Sequence, residues 1–413
     1  MGDASLAFLI VELVDLGGLV GDSALLCVLR RTRHVVLINR VMVWLVIVCE
    51  SFCGFGVVIC LFTLLFVILQ KLKRDSFMTY LVLRFSSIGN VAMTVPVVAT
   101  LAREHPDDMF VYVSQKKLAA MFTGVGNVHF VEADFQGRHA GFGGLKRLYK
   151  EVTDVWKVDY VLDLQRSWKT VLFACFFRMR RKPVYSLCGG GCDRSDCVDG
   201  RCGVNGEIWR YADVFRHVGM HWRGDFQPYC TDPLLASRIQ VMYGDKQGKW
   251  MGIAPFAKYK SNMLPYRLTK EVIAHFASQQ GVRVFLFGAG RVESEMLRQW
   301  ATIFTDVTCV AGNLRLEEEF ELMRHLDVML CMDSANQHLA SLVGLRAVTI
   351  WGGTHPDSGY AGWRQQESDM LQVDVACRPC SVNGTNECSR GDFACLKHDV
   401  GHVISVVENC LKE

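Results

Sequence analysis

The sequence lacks a marked excess of either charge, since 45 lysines and arginines stand against 42 aspartates and glutamates. A formal net charge of +3 provides no global field for binding nucleic acid, and we predict no nucleic-acid partner. Internal repeats and long low-complexity tracts are also absent. Charged residues make up 21% and hydrophobic residues 50% of the chain, which excludes disorder as the main state. The 413 residues are enough for two or three domains.

One long apolar stretch is present near the start of the chain. Residues 41–70 are almost continuously apolar, and Glu50 is their only formal charge. The uncharged part, residues 51–70, has about the 20 residues that a bilayer-spanning helix needs. Residues 1–77 are therefore expected to be an extension with a transmembrane helix, or the result of a start assigned too early, with Met78 as the true start. Both interpretations stay open, and the predicted chemistry follows Met78 in either case.

After Met78 the pattern alternates between short apolar runs, typical of buried parallel strands, and segments with helical periodicity. This alternation predicts an α/β fold with two doubly wound, Rossmann-like sheets that face each other across a cleft. The expected divisions are a first Rossmann-like domain at 78–225, a second Rossmann-like domain at 248–376, and a cysteine-containing tail with a C-terminal helix at 377–413. A cysteine-rich stretch at 188–203 has no periodicity and is expected to be an irregular insertion.

The loops that follow the predicted strands carry the candidate binding residues, because ligands of doubly wound sheets bind outside the carboxyl ends of strands. In the first half, Ser86, Ser87 and Gly89 suit a polar or anionic ligand, although an ordinary capped turn is the preferred interpretation of this loop taken alone. Four loops of the second half favour a nucleotide or phosphate, since lysines, glycines and a helix start follow successive strands. Their candidate residues are Lys258, Lys260, Gly288, Gly290, Asp333, Ser334, Ala335 and His338.

Five segments together resemble the family-9 glycosyltransferases, the lipopolysaccharide heptosyltransferase family, in a Bacteroides-like branch. They are LVLRFSSIGNVAMTVPVV, DYVLDLQRSWKT, GIAPFAKYK, VFLFGAG and MDSANQHLASLVGLRAVTIWGGTHP. The resemblance implies a GT-B fold and an inverting transfer of a sugar, usually heptose from ADP-heptose, onto a lipopolysaccharide core or related lipid-linked acceptor. It implies work at the membrane surface, on the cytoplasmic face of the inner membrane, with no required cofactor.

The same resemblance assigns roles to individual residues. Asp333, Ser334, Ala335 and His338 match the donor-binding segment, Lys258 or Lys260 would neutralise the pyrophosphate, and Gly288 and Gly290 would line the nucleotide. The largest departure is Asn90, which stands where the family has the aspartate taken as general base. An amide cannot accept that proton at neutral pH.

Three explanations of Asn90 remain open. Another carboxylate, such as Asp163 at the end of the fourth predicted strand, substitutes as the base; stabilisation of the leaving diphosphate suffices; or the protein is a weakly active or non-catalytic sugar-nucleotide-binding homologue. A GT-B sugar-nucleotide epimerase is a further alternative, for which the sequence offers no acid and base carboxylates.

Cysteines form two sets after Met78. Cys377, Cys380, Cys388 and Cys395 begin with a CxxC pair and are compatible with a structural zinc site, with reduced thiols or with a disulfide. The second set, in the 188–203 insertion, has spacings that are not those of common zinc modules and is expected to carry free thiols.

Overall fold

A computed structural model describes residues 77–187, 203–382, 384 and 387–412. The elements given below belong to one compact unit, Met78–Glu413. The predicted transmembrane helix at 51–70 and all but the last residue of the 188–203 insertion lie outside the described residues. Among the helices that the structure describes, none combines the length and the apolar character needed to cross a bilayer.

The first half contains a parallel sheet in the order β3-β2-β1-β4-β5. Its strands are β1 (Thr79–Leu83), β2 (Met109–Ser114), β3 (Val128–Glu132), β4 (Tyr160–Asp163) and β5 (Val184–Ser186). The helices of this half are α1 (Ile88–Glu104), α2 (Gly141–Val155), α3 (Trp168–Met179) and α4 (Gly206–Arg216). A short 3-10 helix, Lys116–Phe122, connects β2 with β3. Strands β1 to β4 coincide with short apolar runs of the kind that the sequence analysis takes as buried parallel strands.

The second half contains another parallel sheet, in the order β11-β10-β9-β6-β7-β8. Its strands are β6 (Lys249–Ala254), β7 (Val282–Leu286), β8 (Val307–Cys309), β9 (Val328–Met332), β10 (Ala347–Trp351) and β11 (Met370–Gln372). The helices are α5 (Pro233–Tyr243), α6 (Tyr266–Ala277), α7 (Arg291–Ala301), α8 (Leu316–His325), α9 (Ala335–Leu342) and α10 (Val400–Lys412). The predicted fold class, two doubly wound α/β sheets, is therefore confirmed.

Helix α5 occupies the stretch that the sequence leaves as a linker between the two halves. The Asp232 side chain accepts hydrogen bonds from the backbone N–H groups of Leu234 and Leu235, and Pro233 occupies the first turn, so the helix start has a regular cap. Of its apolar residues Ile239 is buried, whereas Leu234 and Val241 are 82% and 86% exposed. Without an apolar stripe, periodicity could not indicate this helix.

The two halves share a buried apolar cluster, which fixes the position of one sheet against the other. Helix α1 is almost entirely apolar along Val91–Ala102 and packs against α9 of the second half. Val95 of α1 and Leu339 of α9 are 0% and 2% exposed and belong to the same cluster. The N-termini of these two helices consequently meet at the carboxyl ends of both sheets.

Candidate functional site

A cleft of about 890 Å³ opens where the carboxyl ends of the two sheets face each other. It is lined by the loops after β1, β4, β6, β7 and β9, together with residues of α4 and α8. Most of the residues predicted from the loops are brought together here: Ser86, Ser87, Gly89, Asn90, Lys258, Gly288, Asp333, Ser334, Ala335 and His338.

Two helix N-termini without side-chain caps meet in the cleft. Ser87 and Ser334 are the N-cap residues of α1 and α9, both with extended backbones, and neither side chain accepts a capping hydrogen bond. Neither helix has an acidic residue in its first turn. The backbone N–H groups and the positive ends of both helix dipoles are therefore available to an anion in the cleft.

Gly89 allows the close approach of these two helices. A β-carbon at this position would lie 3.1 Å from Cδ2 of His338 and 3.3 Å from Cα of Ala335. Both distances are shorter than ordinary van der Waals contacts, so any larger residue would push the two N-termini apart. The glycine that the sequence indicates as a binding residue therefore sets the width of the cleft.

Asp333 connects several segments of the second half of the chain through hydrogen bonds. Its Oδ2 accepts hydrogen bonds from Nδ2 of Asn262 at 3.1 Å and from Oγ1 of Thr354 at 2.7 Å, and its Oδ1 accepts one from Nε2 of Gln337 at 2.9 Å. Burial raises the pKa of Asp333 to about 6 despite these bonds. The carboxylate thus holds the segments that contain Asn262 and Thr354 against the first turn of α9.

His338 presents a neutral imidazole to the cleft at physiological pH. The side chain is 7% exposed, and burial lowers its pKa to about 3. Within the part of the chain that the structure describes, its Nδ1 has no hydrogen-bond partner. A buried polar nitrogen without a partner is costly, so it is suited to contact a ligand that enters the cleft.

The structure separates the predicted phosphate residues into two groups. Lys258 lines the cleft with an exposed side chain, whereas Lys260 begins a short 3-10 helix, Lys260–Asn262, and does not line it. Gly288 lines the cleft, whereas Gly290 is the N-cap of α7 with a φ of 81°. Lys258 and Gly288 are therefore placed to contact a ligand directly.

Asp163, the predicted substitute base, does not line the cleft. The residue is fully buried, and its Oδ1 accepts hydrogen bonds from the N–H groups of Gln165 and Arg166 at 3.0 and 2.9 Å. Burial raises the pKa of this carboxyl group. Asp163 thus shapes the loop after β4, and it is Gln165 and Arg166 that reach the cleft.

The wall of the cleft that belongs to the first half of the chain contains charged residues that the sequence did not indicate. Arg84 is 6% exposed, donates to the carbonyl of Leu164 and lies 5.3 Å from the ring centroid of Tyr211. Arg210 of α4 forms an ion pair with Glu207 at 2.5 Å. Arg84 directly follows the buried strand β1, so its position near the binding loops could have been predicted from the sequence. The residues of α4 have no local signal.

Of the three alternatives for the tail cysteines, the described residues give no support to the zinc site. Cys377, Cys380, Cys388 and Cys395 are free thiols, and no group of three or more metal-ligating side chains occurs in residues 77–187 and 203–412 as far as they are described. The prediction of zinc is therefore unsupported. Arg378 attaches the tail to the second sheet, because its guanidinium donates to the carbonyls of the loop after β10.

Comparison with known proteins gives a consistent result. A model of glycosyltransferase family 9 (heptosyltransferase) matches residues 147–389. The lipooligosaccharide heptosyltransferase 2 proteins of Campylobacter jejuni serotypes O:2 and O:6 are each 24% identical, over 134 and 105 residues. These matches cover 31% and 24% of this chain, and the chain spans 41% and 33% of the length of these relatives.

Solved structures share the architecture. A family-9 glycosyltransferase of Veillonella parvula superposes with a TM-score of 0.65 at 17% identity, covering 81% of this chain and 97% of that one. The ADP-heptose lipopolysaccharide heptosyltransferase II of E. coli gives 0.61 at 14% identity, covering 81% and 99%. At these identities the likeness shows the fold. The fold, the placement of the motifs at one cleft and the family match agree, and the chain belongs to glycosyltransferase family 9, the heptosyltransferase family.

Proposed function

We propose that the protein transfers a sugar from a nucleoside diphosphate sugar to a hydroxyl group of a lipid-linked saccharide. The observation that carries the proposal is the meeting of two uncapped helix N-termini in the cleft, at Ser87 and Ser334. When the bond between sugar and diphosphate breaks, negative charge develops on the leaving diphosphate. Two sets of oriented N–H groups in a cleft stabilise charge of this kind without reorganising during the reaction.

Lys258 and His338 complete the donor subsite in this proposal. The Lys258 ammonium adds a mobile positive charge at the edge of the cleft, as expected of a side chain that neutralises a diphosphate. His338 is neutral, so it has one N–H group and one acceptor nitrogen with which to contact a phosphate or sugar oxygen or a hydroxyl group of the donor. Gly288 allows the nucleotide to approach the backbone after β7.

The proposal that the donor is ADP-heptose rests on the family to which the chain belongs. The relatives include an ADP-heptose lipopolysaccharide heptosyltransferase II and a heptosyltransferase solved with ADP-2-deoxy-2-fluoro heptose, both from E. coli. The proposed chemistry is a single displacement with inversion, in which the acceptor enters from the first half of the chain. Its setting is the cytoplasmic face of the inner membrane.

An anionic acceptor fits the other wall of the cleft. Arg84, Arg166 and Arg210 contribute three guanidinium groups to this wall, and Glu207 offsets one of them. Guanidinium groups bind carboxylates and phosphates through bidentate hydrogen bonds. An acceptor with anionic groups, such as a lipopolysaccharide core or a related lipid-linked saccharide, would be held by these arginines.

Asn90 favours a second function, that of a homologue that binds a sugar nucleotide without transferring the sugar. The experiment that separates the two incubates the natural protein and Asn90→Asp with ADP-heptose and a truncated-core acceptor. Product is followed by mass spectrometry and donor binding by calorimetry. We expect product from the natural protein. Donor binding without turnover in both proteins would establish the binding function instead.

A further inference from the structure

Among the described residues four carboxylates line the cleft, and three of them already have hydrogen-bond or ion-pair partners. Glu207 pairs with an arginine one turn along α4. Glu293 accepts a hydrogen bond from the backbone N–H of Ala289 at 2.9 Å. Asp333 accepts three hydrogen bonds from the loops around it. Glu319 is the fourth, and within the described residues its carboxylate has neither a hydrogen bond nor an ion pair.

Glu319 is exceptional within its own helix as well. It lies in the first turn of α8, where Glu317 and Glu318 precede it. The Glu318 carboxylate forms ion pairs with Arg238 at 2.6 Å and with Arg315 at 3.3 Å, and it does not line the cleft. Glu319 is half-buried, with no arginine or lysine paired to it, and faces the same cavity as Asn90. The chain thus has an amide at the family's base position and an unengaged carboxylate across the same cleft.

We propose that Glu319 is the group that takes the proton from the acceptor hydroxyl, a role that Asn90 cannot perform. This inference rests on the proposed function. In the step, the acceptor oxygen forms a bond to the anomeric carbon of the donor sugar. The bond from that carbon to the diphosphate oxygen breaks, and its electron pair leaves with the nucleoside diphosphate. The hydroxyl proton passes to a carboxylate oxygen of Glu319.

The protonation behaviour of Glu319 suits this role. Burial raises its pKa to about 7, and no neighbouring charge lowers it. A general base is most effective when its pKa lies near the working pH, because it is then both available and sufficiently basic. Among the described residues, Glu319 is also free of competing hydrogen bonds. The other three carboxylates of the cleft already have hydrogen-bond or ion-pair partners, so they are less able to accept a proton.

The test measures kcat, KM for ADP-heptose and the pH profile of kcat/KM for the natural protein and Glu319→Gln. We expect kcat/KM of the natural protein to fall as the pH drops below about 7, because the base becomes protonated. Glu319→Gln should lose about 10²–10⁴-fold in kcat with little change in donor KM, and should lose this pH limb. Glu317→Gln, on the same helix turn but outside the cleft, is the matched control and should behave as the natural protein.

A second variant distinguishes a chemical role from a structural one. Adding Asn90→Asp to Glu319→Gln returns a carboxylate to the cleft, and we expect it to restore turnover with a pH limb shifted to lower pH, since an ordinary aspartate has a pKa near about 4. If Glu319→Gln keeps its kcat and raises only the donor KM, Glu319 contacts the donor and the proposal is wrong. If the natural protein and Asn90→Asp both bind donor without transferring sugar, the proposed function itself fails, and this inference with it.

Discussion

The unengaged carboxylate of Glu319 should make the folded protein less stable at alkaline pH. The group has an ordinary pKa of 4.5, and burial raises the folded value to about 7. Below pH 4.5 the carboxyl group is protonated in both the folded and the unfolded state, so it does not lower the free energy of unfolding. Between the two pKa values the unfolded state releases a proton that the folded state retains, so stability falls as the pH rises. By linkage the penalty reaches at most about 3 kcal/mol at pH 8, against about 1 kcal/mol at pH 5.

The substitution Glu319→Gln removes the charge and keeps the shape of the side chain. Because water reaches part of the half-buried carboxylate, we expect a gain of about 1–2 kcal/mol in the free energy of unfolding at pH 8, and well below about 1 kcal/mol at pH 5. Denaturant titrations of the ligand-free protein at both pH values measure the difference, with Glu317→Gln as control. An equal effect at the two pH values would show that Glu319 is not held in a desolvated site.

Three further predictions concern the donor subsite. Lys258→Ala should weaken binding of ADP-heptose about tenfold, with a smaller loss at high salt. Lys260→Ala, outside the cleft, should bind ADP-heptose normally. Calorimetry at two ionic strengths measures both affinities. Gly89→Ala should separate the two helix N-termini and weaken donor binding about fivefold or more, whereas Gly126→Ala, which meets no atom within 4 Å, should not. Asn90→Asp should raise the dissociation constant of the donor, because it adds a negative charge to the first turn of α1 beside the diphosphate; unchanged affinity would place the diphosphate elsewhere.

The central strands were predictable because they are buried on both faces. In β9, Val328–Met332, every residue is buried, and such strands appear in the sequence as short continuous apolar runs. The two short edge strands, β5 and β11, have three residues each and were not predicted. Their pairing depends on the neighbouring strand more than on their own composition.

The binding loops were predictable for a topological reason, whereas the choice among their residues was not. All loops after parallel strands of one sheet open at the same edge, so Lys258 and Asp333 could be assigned to one site from their positions after strands of the second sheet. Gly89 joins them because the predicted cleft lies between the two sheets. Whether Lys258 or Lys260 faces the ligand depends on the turn that begins at Lys260. The sequence pattern does not determine the direction of that turn.

Glu319 could not be identified from the sequence because its local context indicates a solvated helix start. Three consecutive glutamates in the first turn of a helix are favoured by the helix dipole. Only the packing of α8 against the first half, and the arginines that pair with Glu318, make Glu319 differ from its neighbours. Asp163 shows the reverse case, since the end of a strand indicated an accessible carboxylate where the fold uses a buried one to hold a loop.

Asn90 and Glu319 together suggest why a carboxylate is better placed on the donor half in this chain. A carboxylate at position 90 would lie in the first turn of α1, where it would partly neutralise a helix dipole that points at the diphosphate. With an amide there, both helix N-termini keep their full attraction for the anion. A base on α8 lies in the other half of the molecule. Burial keeps its carboxyl group protonated and neutral until the pH approaches 7, so it adds no negative charge to the cleft below that pH. The arrangement separates anion binding from proton removal, two tasks that a single aspartate at position 90 would have to combine.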